Sequence, residues 1–258
     1  MKNRIISGSI IVLILILSLV LNKIFFTILI SFCGLLGYIE VLKSKGKNDL
    51  VMVKIIGGVS LLILILSNNL FKLDITIPLI FSMISLLMLL IFYNDNKKYN
   101  IEDAMYILGM VLLIGLSFNG LIHFRNTSVA KCIYIFLTAC ITDTYAYIGG
   151  CLIGKHKLTT ISPKKTWEGS IIGSLVGTFI GAIFYLVVIN DIGILDTVLL
   201  SFFLTIISEI GDLVFSHIKR YFNIKDYSNL IPGHGGILDR FDSIIFVSLG
   251  LTLVLSLL

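Results

Sequence analysis

Charge is what this chain has least of. Asp, Glu, Lys and Arg make up 14% of its 258 residues while 57% are hydrophobic, and the mean hydropathy is +1.03. Soluble domains carry roughly a quarter charged residues, so the composition excludes an ordinary soluble core and points to an all-α, polytopic integral membrane protein. Cysteine is scarce as well. Cys33, Cys132, Cys140 and Cys151 show no CxxC spacing and lie within or beside apolar runs. That excludes a zinc site and a disulfide framework and leaves small buried thiols as the expectation. The basic residues sit in short loops rather than along one solvated face, which removes nucleic acid from the partners. A cleavage site is missing too. Lys2 and Arg4 precede an apolar run from Ile5 to Leu21, but no small-residue motif follows it, so the run reads as an uncleaved first helix.

What is present is a series of long apolar runs. Spanning a bilayer takes roughly 17–25 residues, and nine runs are candidates: about 5–22, 24–42, 51–70, 75–93, 103–121, 128–150, 169–190, 193–215 and 243–258. The last is short and can begin inside a helix at Asp239–Asp242. With the N-terminus in the cytoplasm, sixteen of the twenty Lys and Arg fall in cytoplasmic segments, leaving Lys23, Lys72, Arg125 and Lys131 outside. Lysine and arginine gather on the cytoplasmic side. The split therefore supports about nine transmembrane helices, a cytoplasmic N-terminus, and two polar loops on the face where nucleotides are found.

Residues 1–121 carry little chemistry and read as scaffold helices. Glu40, near the end of the second run, reads as an interfacial residue. Lys97 and Lys98 read as headgroup contacts, each worth about 1 kcal/mol beside an anionic leaflet.

Residues 122–258 differ. Asp143 lies inside an apolar run, TACITDTYAYIGGCLIG. A carboxylate there costs about 2.5–3.5 kcal/mol on insertion scales, which makes it a functional candidate. The alternative is a protonated, hydrogen-bonded helix contact. Asp143, Tyr147 and Gly150 share a helical face, as do Glu209, Asp212 and Ser216. Asp212 is expected to line the cavity of the loop that follows, with a metal or a lysine as partner; an interhelical salt bridge is the alternative. Gly169, Gly173, Gly177 and Gly181 recur every four residues, a small-xxx-small ladder for close packing in lipid.

Two polar loops accompany these helices, at 151–168 and 216–242. The first holds Gly154-Lys155-His156-Lys157-Leu158 and Ser162-Pro163-Lys164-Lys165-Thr166-Trp167-Glu168-Gly169. Pro163 stiffens it. Lys164, Lys165 and the Ser162 and Thr166 hydroxyls are phosphate-binding types, and Trp167 reads as an interfacial anchor, with stacking against a base as the alternative. The second is SHIKRYFNIKDYSNLIPGHGGILDRFD. Lys219, Arg220, Lys225 and Arg240 supply cations, and Asp226, Asp239 and Asp242 supply carboxylates. Gly233, Gly235 and Gly236 around His234 let the backbone approach a ligand and turn N–H groups toward an anion. Hard cations such as Mg²⁺ take one or two carboxylates plus substrate phosphates. Together these features suggest phosphate chemistry at a membrane surface.

Ser216-x-Ile218-Lys219-Arg220, Lys225-Asp226, Pro232-Gly233-His234-Gly235-Gly236 and Asp239-Arg240-x-Asp242 resemble the signature of the phosphatidate cytidylyltransferases (CDP-diglyceride synthases), without a departure across 27 residues. Asp143-Thr144-x-Ala146-Tyr147 and the first loop resemble the DT-x-AY, G-K-x-K-L and S-P-K-K-T-x-E-G runs of the same family. It departs at Cys151, where members often have a basic residue, and at Thr159-Thr160, which lacks the proline common before S-P. The resemblance covers about residues 140–258.

It implies that CTP and phosphatidic acid give CDP-diacylglycerol and pyrophosphate, in phospholipid biosynthesis, with Mg²⁺ as cofactor; whether a monovalent cation shares the site stays open. The catalytic candidates are then Asp226, His234, Asp239 and Asp242. The metal ligands are Asp226, Asp239 and Asp242, with Asp212 and Asp143 as second choices. Lys164, Lys165, Lys219, Arg220, Lys225 and Arg240 would clamp the phosphates, and the backbone of Gly233, Gly235 and Gly236 would cradle them. His234 either donates to the leaving pyrophosphate or only holds the loop. The implied partners are CTP, phosphatidic acid and membrane lipids; the charge split puts the site on the cytoplasmic side, and the Ile, Lys and Asn richness with the lack of a targeting segment suggests a bacterial inner membrane. The sequence leaves the oligomeric state open, a homodimer included. Two other classes compete. A CTP-dependent kinase for a polyprenol or similar lipid would pass on only the γ-phosphate. An ion or metabolite transporter would suit Asp143, Glu209 and Asp212, but not the concentration of cations, carboxylates and glycines in two loops.

Overall fold

In an apolar phase the backbone has no water to bond, and a helix is the fold that satisfies every N–H and C=O within one segment. The computed structural model of the chain describes residues 8, 13–93, 95, 97–231, 233 and 235–257. Among them regular structure is helical, apart from isolated bridges joining Lys157 to Thr166 and Ile231 to Gly235. The helices are α1 (Lys23–Ser44), α2 (Val51–Leu66), α3 (Thr76–Phe92), α4 (Ile101–Thr127), α5 (Val129–Ile153), α6 (Trp167–Phe184), α7 (Ile194–Tyr221) and α8 (Leu238–Leu257). A π turn extends α2 over Ser67–Phe71 and another extends α6 over Tyr185–Ile189. Residues 13–20 are also helical; much of the first expected run, with Lys2 and Arg4, lies outside the described residues. Seven of the helices are long and apolar enough to cross a membrane, and α3, with 17 residues, is apolar but shorter. The chain is an all-α, polytopic membrane protein. Each expected run from 24 onward falls on one helix. However, α7 continues through Ser216, Lys219 and Arg220, and α8 already contains Asp239, Arg240 and Asp242, so the second loop proper is 222–237.

The chain forms two compact units, Met1–Asn126 with Asp226–Arg240, and Thr127–Lys225 with Phe241–Leu258. The glycine-rich loop thus groups with the helices expected to be scaffold.

In the first unit α4 is the most enclosed of the long helices, with 67% of its apolar window buried. Phe118 and Ile65 fill the space beside Gly34 of α1, and Leu64 of α2 lies over Gly115 of α4. Tyr38 of α1 passes beside Gly57 and donates to the Val53 carbonyl at 2.7 Å. After α1, Lys45 and Lys47 bind Asp103 at 3.1 and 2.8 Å. The Asn119 amide of α4 donates to the carbonyls of Leu64 and Ile65, at 3.2 and 3.0 Å, just before the first π turn.

In the second unit the glycine ladder of α6 meets α5. Gly169 abuts Ala146 and Gly150, Gly173 abuts Thr142 and Ala146, and Gly177 abuts Thr142 and, from α7, Thr205. Close helix approach is what such a stripe permits. Tyr134, buried on α5, bonds Ser201 of α7 at 2.8 Å and meets the Tyr185 ring edge-on at 5.0 Å. Beyond the second π turn, Asp191 binds Lys131 at 2.6 Å and accepts from the Tyr185 hydroxyl at 2.7 Å. Partial burial opposes its charge, but the bonds from Lys131 and Tyr185 outweigh that and hold the carboxyl below the usual range. All four cysteines are free, and the expected burial holds fully only for Cys132. Cys33 is half-buried, while Cys140 and Cys151 lie on outward faces, where the apolar surroundings of a membrane helix come from lipid rather than protein.

Candidate active site

The first loop is folded onto the start of α6. Leu158 N–H donates to the Lys165 carbonyl at 2.9 Å, and Trp167 N–H to that of His156 at 3.0 Å. Thr166 caps α6 by accepting from Gly169 N–H at 3.1 Å, satisfying one of the unpaired donors of a helix start. Glu168 accepts the N–H groups of Lys155 and His156 and pairs with His156 Nδ1 at 2.6 Å. These bonds hold the Gly-Lys-His-Lys segment against the Ser-Pro-Lys-Lys-Thr segment, with Lys164 and Lys165 in the turn between.

Beside that turn lies a cavity of about 180 Å³, lined by Asp143, Tyr147, Lys164, Lys165, Glu209 and Asp212 among others. Asp143 and Tyr147 come from α5, Glu209 and Asp212 from α7, as the shared helical faces require. Lys165 Nζ lies 2.6 Å from Asp212 Oδ2, and Ser216 donates to Asp212 Oδ1 at 3.2 Å. Ser243 of α8 donates to Asp143 Oδ2 at 3.0 Å. Glu209 accepts from Ser170 and Ser174, the latter at 3.1 Å. Asp242 accepts from Ser243 N–H at 2.9 Å and is close enough to feel the charges of Asp212, Asp143 and Lys219. A second, apolar cavity of about 570 Å³ shares Leu158, Ser170 and Glu209 with the first and continues along Trp167, Ile171, Phe202 and Ile206.

Among the described residues no three His, Cys, Asp or Glu side chains converge as a ready metal cage. Mg²⁺ does not need one, since it takes one or two carboxylates with water and substrate phosphates filling the rest. Asp143 and Asp212, on facing helices around one cavity, fit that requirement.

The second loop is built differently. Asp239 Oδ2 accepts from Tyr227 N–H at 2.8 Å and Gly236 N–H at 2.9 Å. Ile231 N–H donates to the Gly235 carbonyl at 2.9 Å. Gly233 and Gly235 have φ of +78° and +83°, which only glycine adopts without strain. The N–H of Gly236, an expected phosphate donor, is therefore directed at the protein's own carboxylate. Asp226, Lys225 and Arg240 are exposed, and Arg220 donates to the Ile224 carbonyl at 3.1 Å. His234 and Pro232 lie outside the described residues.

The sequence candidates thus fall into two groups. Asp143, Asp212, Lys164 and Lys165 share a cavity, with Asp242 and Lys219 as electrostatic neighbours. Asp226, Asp239, Arg240 and the glycines belong to the first unit, where Asp239 ties the loop. Two acids were missed as candidates. Glu209 lines the cavity; its signal was an acid inside an apolar helix, the same one that singled out Asp212. Glu40, expected at the interface, is instead 3% exposed and bonded to the glycine-rich loop. Its position at the end of an apolar run carried that burial only weakly.

The family model described as "Cytidylyltransferase family" matches residues 2–258. A phosphatidate cytidylyltransferase of Bacillus subtilis (strain 168) is 34% identical over 255 residues, covering 96% of this chain and 94% of that protein. Proteins of the same name from Staphylococcus haemolyticus (strain JCSC1435) and Staphylococcus aureus (strain COL) are 38% and 40% identical over 169 and 156 residues. Those stretches cover 64% and 59% of this chain and 65% and 59% of the relatives.

Proposed function

The chain belongs to the cytidylyltransferase family, and from that premise we propose that it transfers the cytidylyl group of CTP to phosphatidic acid, giving CDP-diacylglycerol and pyrophosphate. The observation that carries this reading is the polar cavity, where Lys164 and Lys165 stand with Asp143 and Asp212. An amphiphilic substrate needs adjoining polar and apolar space, and the apolar cavity that shares Ser170 and Glu209 supplies it.

A phosphate oxygen of the lipid attacks the α-phosphorus of CTP, and the bond to the β-phosphate oxygen breaks. Both reactants are anions, so the main demands are to screen repulsion and hold the groups in line. Lys164 and Lys165 neutralise phosphate oxygens, and Lys165 exchanges Asp212 for phosphate as the nucleotide enters. A phosphate monoester is largely ionised near neutral pH, its second pKa being about 6, so no strong general base is required. Asp143 and Asp212 would hold Mg²⁺, which when bound supplies positive charge to the leaving pyrophosphate. Ser243 keeps Asp143 oriented from α8. The bacterial relatives, and the sixteen basic residues of one topological side, support a bacterial inner membrane with the site on its cytoplasmic face.

The test uses detergent-purified protein, phosphatidic acid, Mg²⁺ and CTP labelled at either the α- or the γ-phosphate. The expected result is α label in lipid and γ label in pyrophosphate. Label from the γ position in lipid would instead make the protein a CTP-dependent lipid kinase.

A further inference from the structure

Glu40 sits in α1, 3% exposed, in the part of the chain expected to be scaffold. Its carboxylate accepts three hydrogen bonds, all from the glycine-rich loop and the start of α8. Oε1 takes the Ser228 hydroxyl at 2.6 Å and Ile237 N–H at 2.9 Å, and Oε2 takes Leu238 N–H at 2.9 Å. A buried carboxylate without donors is strongly disfavoured, so the contact holds both ways: the acid needs the loop, and the loop is held where the acid is. The first N–H groups of a helix have no partner within it; here α1 supplies that partner to α8. Gly236 shows how close the contact is, because a side chain there would run into the Glu40 carboxylate.

Resting on that reading of the reaction, we propose that Glu40 is a positioning residue for cytidylyl transfer. It clamps the loop between Asp226 and Arg240 in one conformation through Ser228, Ile237 and Leu238. It touches no substrate. Asp239 ties the loop to itself, and Glu40 ties it to a membrane helix, so the exposed Asp226 and Arg240 are presented from a fixed backbone.

The experiment compares full-length wild type with Glu40→Gln, Glu40→Ala and Ser228→Ala in detergent with lipid. Gln keeps one acceptor oxygen but turns an NH₂ group toward an N–H donor. Two readouts are taken on folded protein: trypsin cleavage after Lys225 and Arg240, beside cleavage after Lys72 and Lys97, which lie outside that loop, and kcat and KM for CTP. Losing a hydrogen bond to a charged group should speed loop cleavage and lower kcat/KM by about tenfold or more in Glu40→Gln, and more in Glu40→Ala. Cleavage after Lys72 and Lys97 should stay at the wild-type rate. Ser228→Ala, which leaves no buried charge unpaired, should show the same pattern more weakly and carries the test if the Glu40 variants do not fold. Loop cleavage and kcat/KM within twofold of wild type would overturn the proposal, as would faster cleavage at all four sites, the mark of general loosening. A wild-type enzyme that does not transfer the cytidylyl group would overturn the proposed reaction, while the cleavage pattern would still decide the clamp.

Discussion

Lys165 Nζ stands 2.6 Å from Asp212 Oδ2, each side chain 26% exposed, so a loop lysine and a membrane-helix acid are joined across one cavity. A triphosphate with a divalent cation offers both partners something better, phosphate for the lysine and metal for the acid. The pair therefore marks a place where substrate and protein charges exchange. Lys165→Ala and Asp212→Asn should each lower kcat/KM by about a hundredfold, roughly what two charge-assisted hydrogen bonds are worth. Because the two residues share one interaction, the double variant should lose much less than the product of the two, as a double-mutant cycle on α-label transfer would read.

Asp143 and Asp239 should separate by their response to Mg²⁺. Asp143→Asn is expected to raise the Mg²⁺ concentration giving half-maximal activity by about tenfold or more, the loss expected when a ligand to a bound ion is weakened. Asp239→Asn keeps an acceptor oxygen for Tyr227 and Gly236 and should leave the Mg²⁺ requirement unchanged. Asp239→Ala removes the acceptor and should speed trypsin cleavage after Arg240. A Mg²⁺ titration of Asp143→Asn and Asp239→Asn checks the first two outcomes and trypsin digestion of Asp239→Ala the third, and a shift in Asp239→Asn would place that residue with the metal ligands.

The glycine ladder makes a prediction about stability alone. Gly173→Leu pushes a side chain into Thr142 and Ala146 of α5 and should lower stability by about 1–3 kcal/mol, the usual penalty of overpacking. Leu175→Ala, two residues on and 59% exposed, should leave the melting temperature almost unchanged. Thermal unfolding in detergent compares the two.

Asp191 carries a pH signature. Its carboxyl is held below the usual range by Lys131 and Tyr185 against partial burial. A depressed acid contributes stability above its unfolded pKa, about 3.9 for Asp, and that contribution is lost as pH falls through the lower folded value. Asp191→Asn should therefore melt below wild type at pH 7, with the gap closing below about pH 4. A gap that persists at lower pH would assign the effect to packing instead of charge.

Much of this was legible in the sequence because a bilayer enforces simple rules. Apolar runs of spanning length become helices, and each run from residue 24 onward did. Asp143 and Asp212 were legible because an acid in an apolar helix needs a polar partner, and both have one. The assignment of Lys164 and Lys165 to phosphate binding followed from residue type, and the structure puts both on one cavity. What could not be read is contact between segments far apart in the chain. Glu40 meets Ile237 across 197 positions, and no local pattern encodes that. Asp239 was named among the metal ligands that the resemblance implies; that its carboxylate also accepts from Tyr227 and Gly236 within the loop is a contact that no local pattern announces. Helix ends were also hidden, since Ser216, Lys219 and Arg220 are polar enough to read as loop yet continue α7.

The amide of Asn119 has a consequence for how the chain is made. It binds the carbonyls of Leu64 and Ile65, 55 and 54 residues earlier, next to the π turn that ends α2. Buried carbonyls left without donors are costly in hydrocarbon. When α2 emerges from the ribosome its partner has not been synthesised, and until α4 arrives the Ser67 hydroxyl, 3.0 Å from the Leu64 carbonyl, is the side-chain donor at hand. The first unit thus has an order of assembly written into it, in which the bonds that tie the end of α2 to α4 wait for a residue that enters the membrane two helices later.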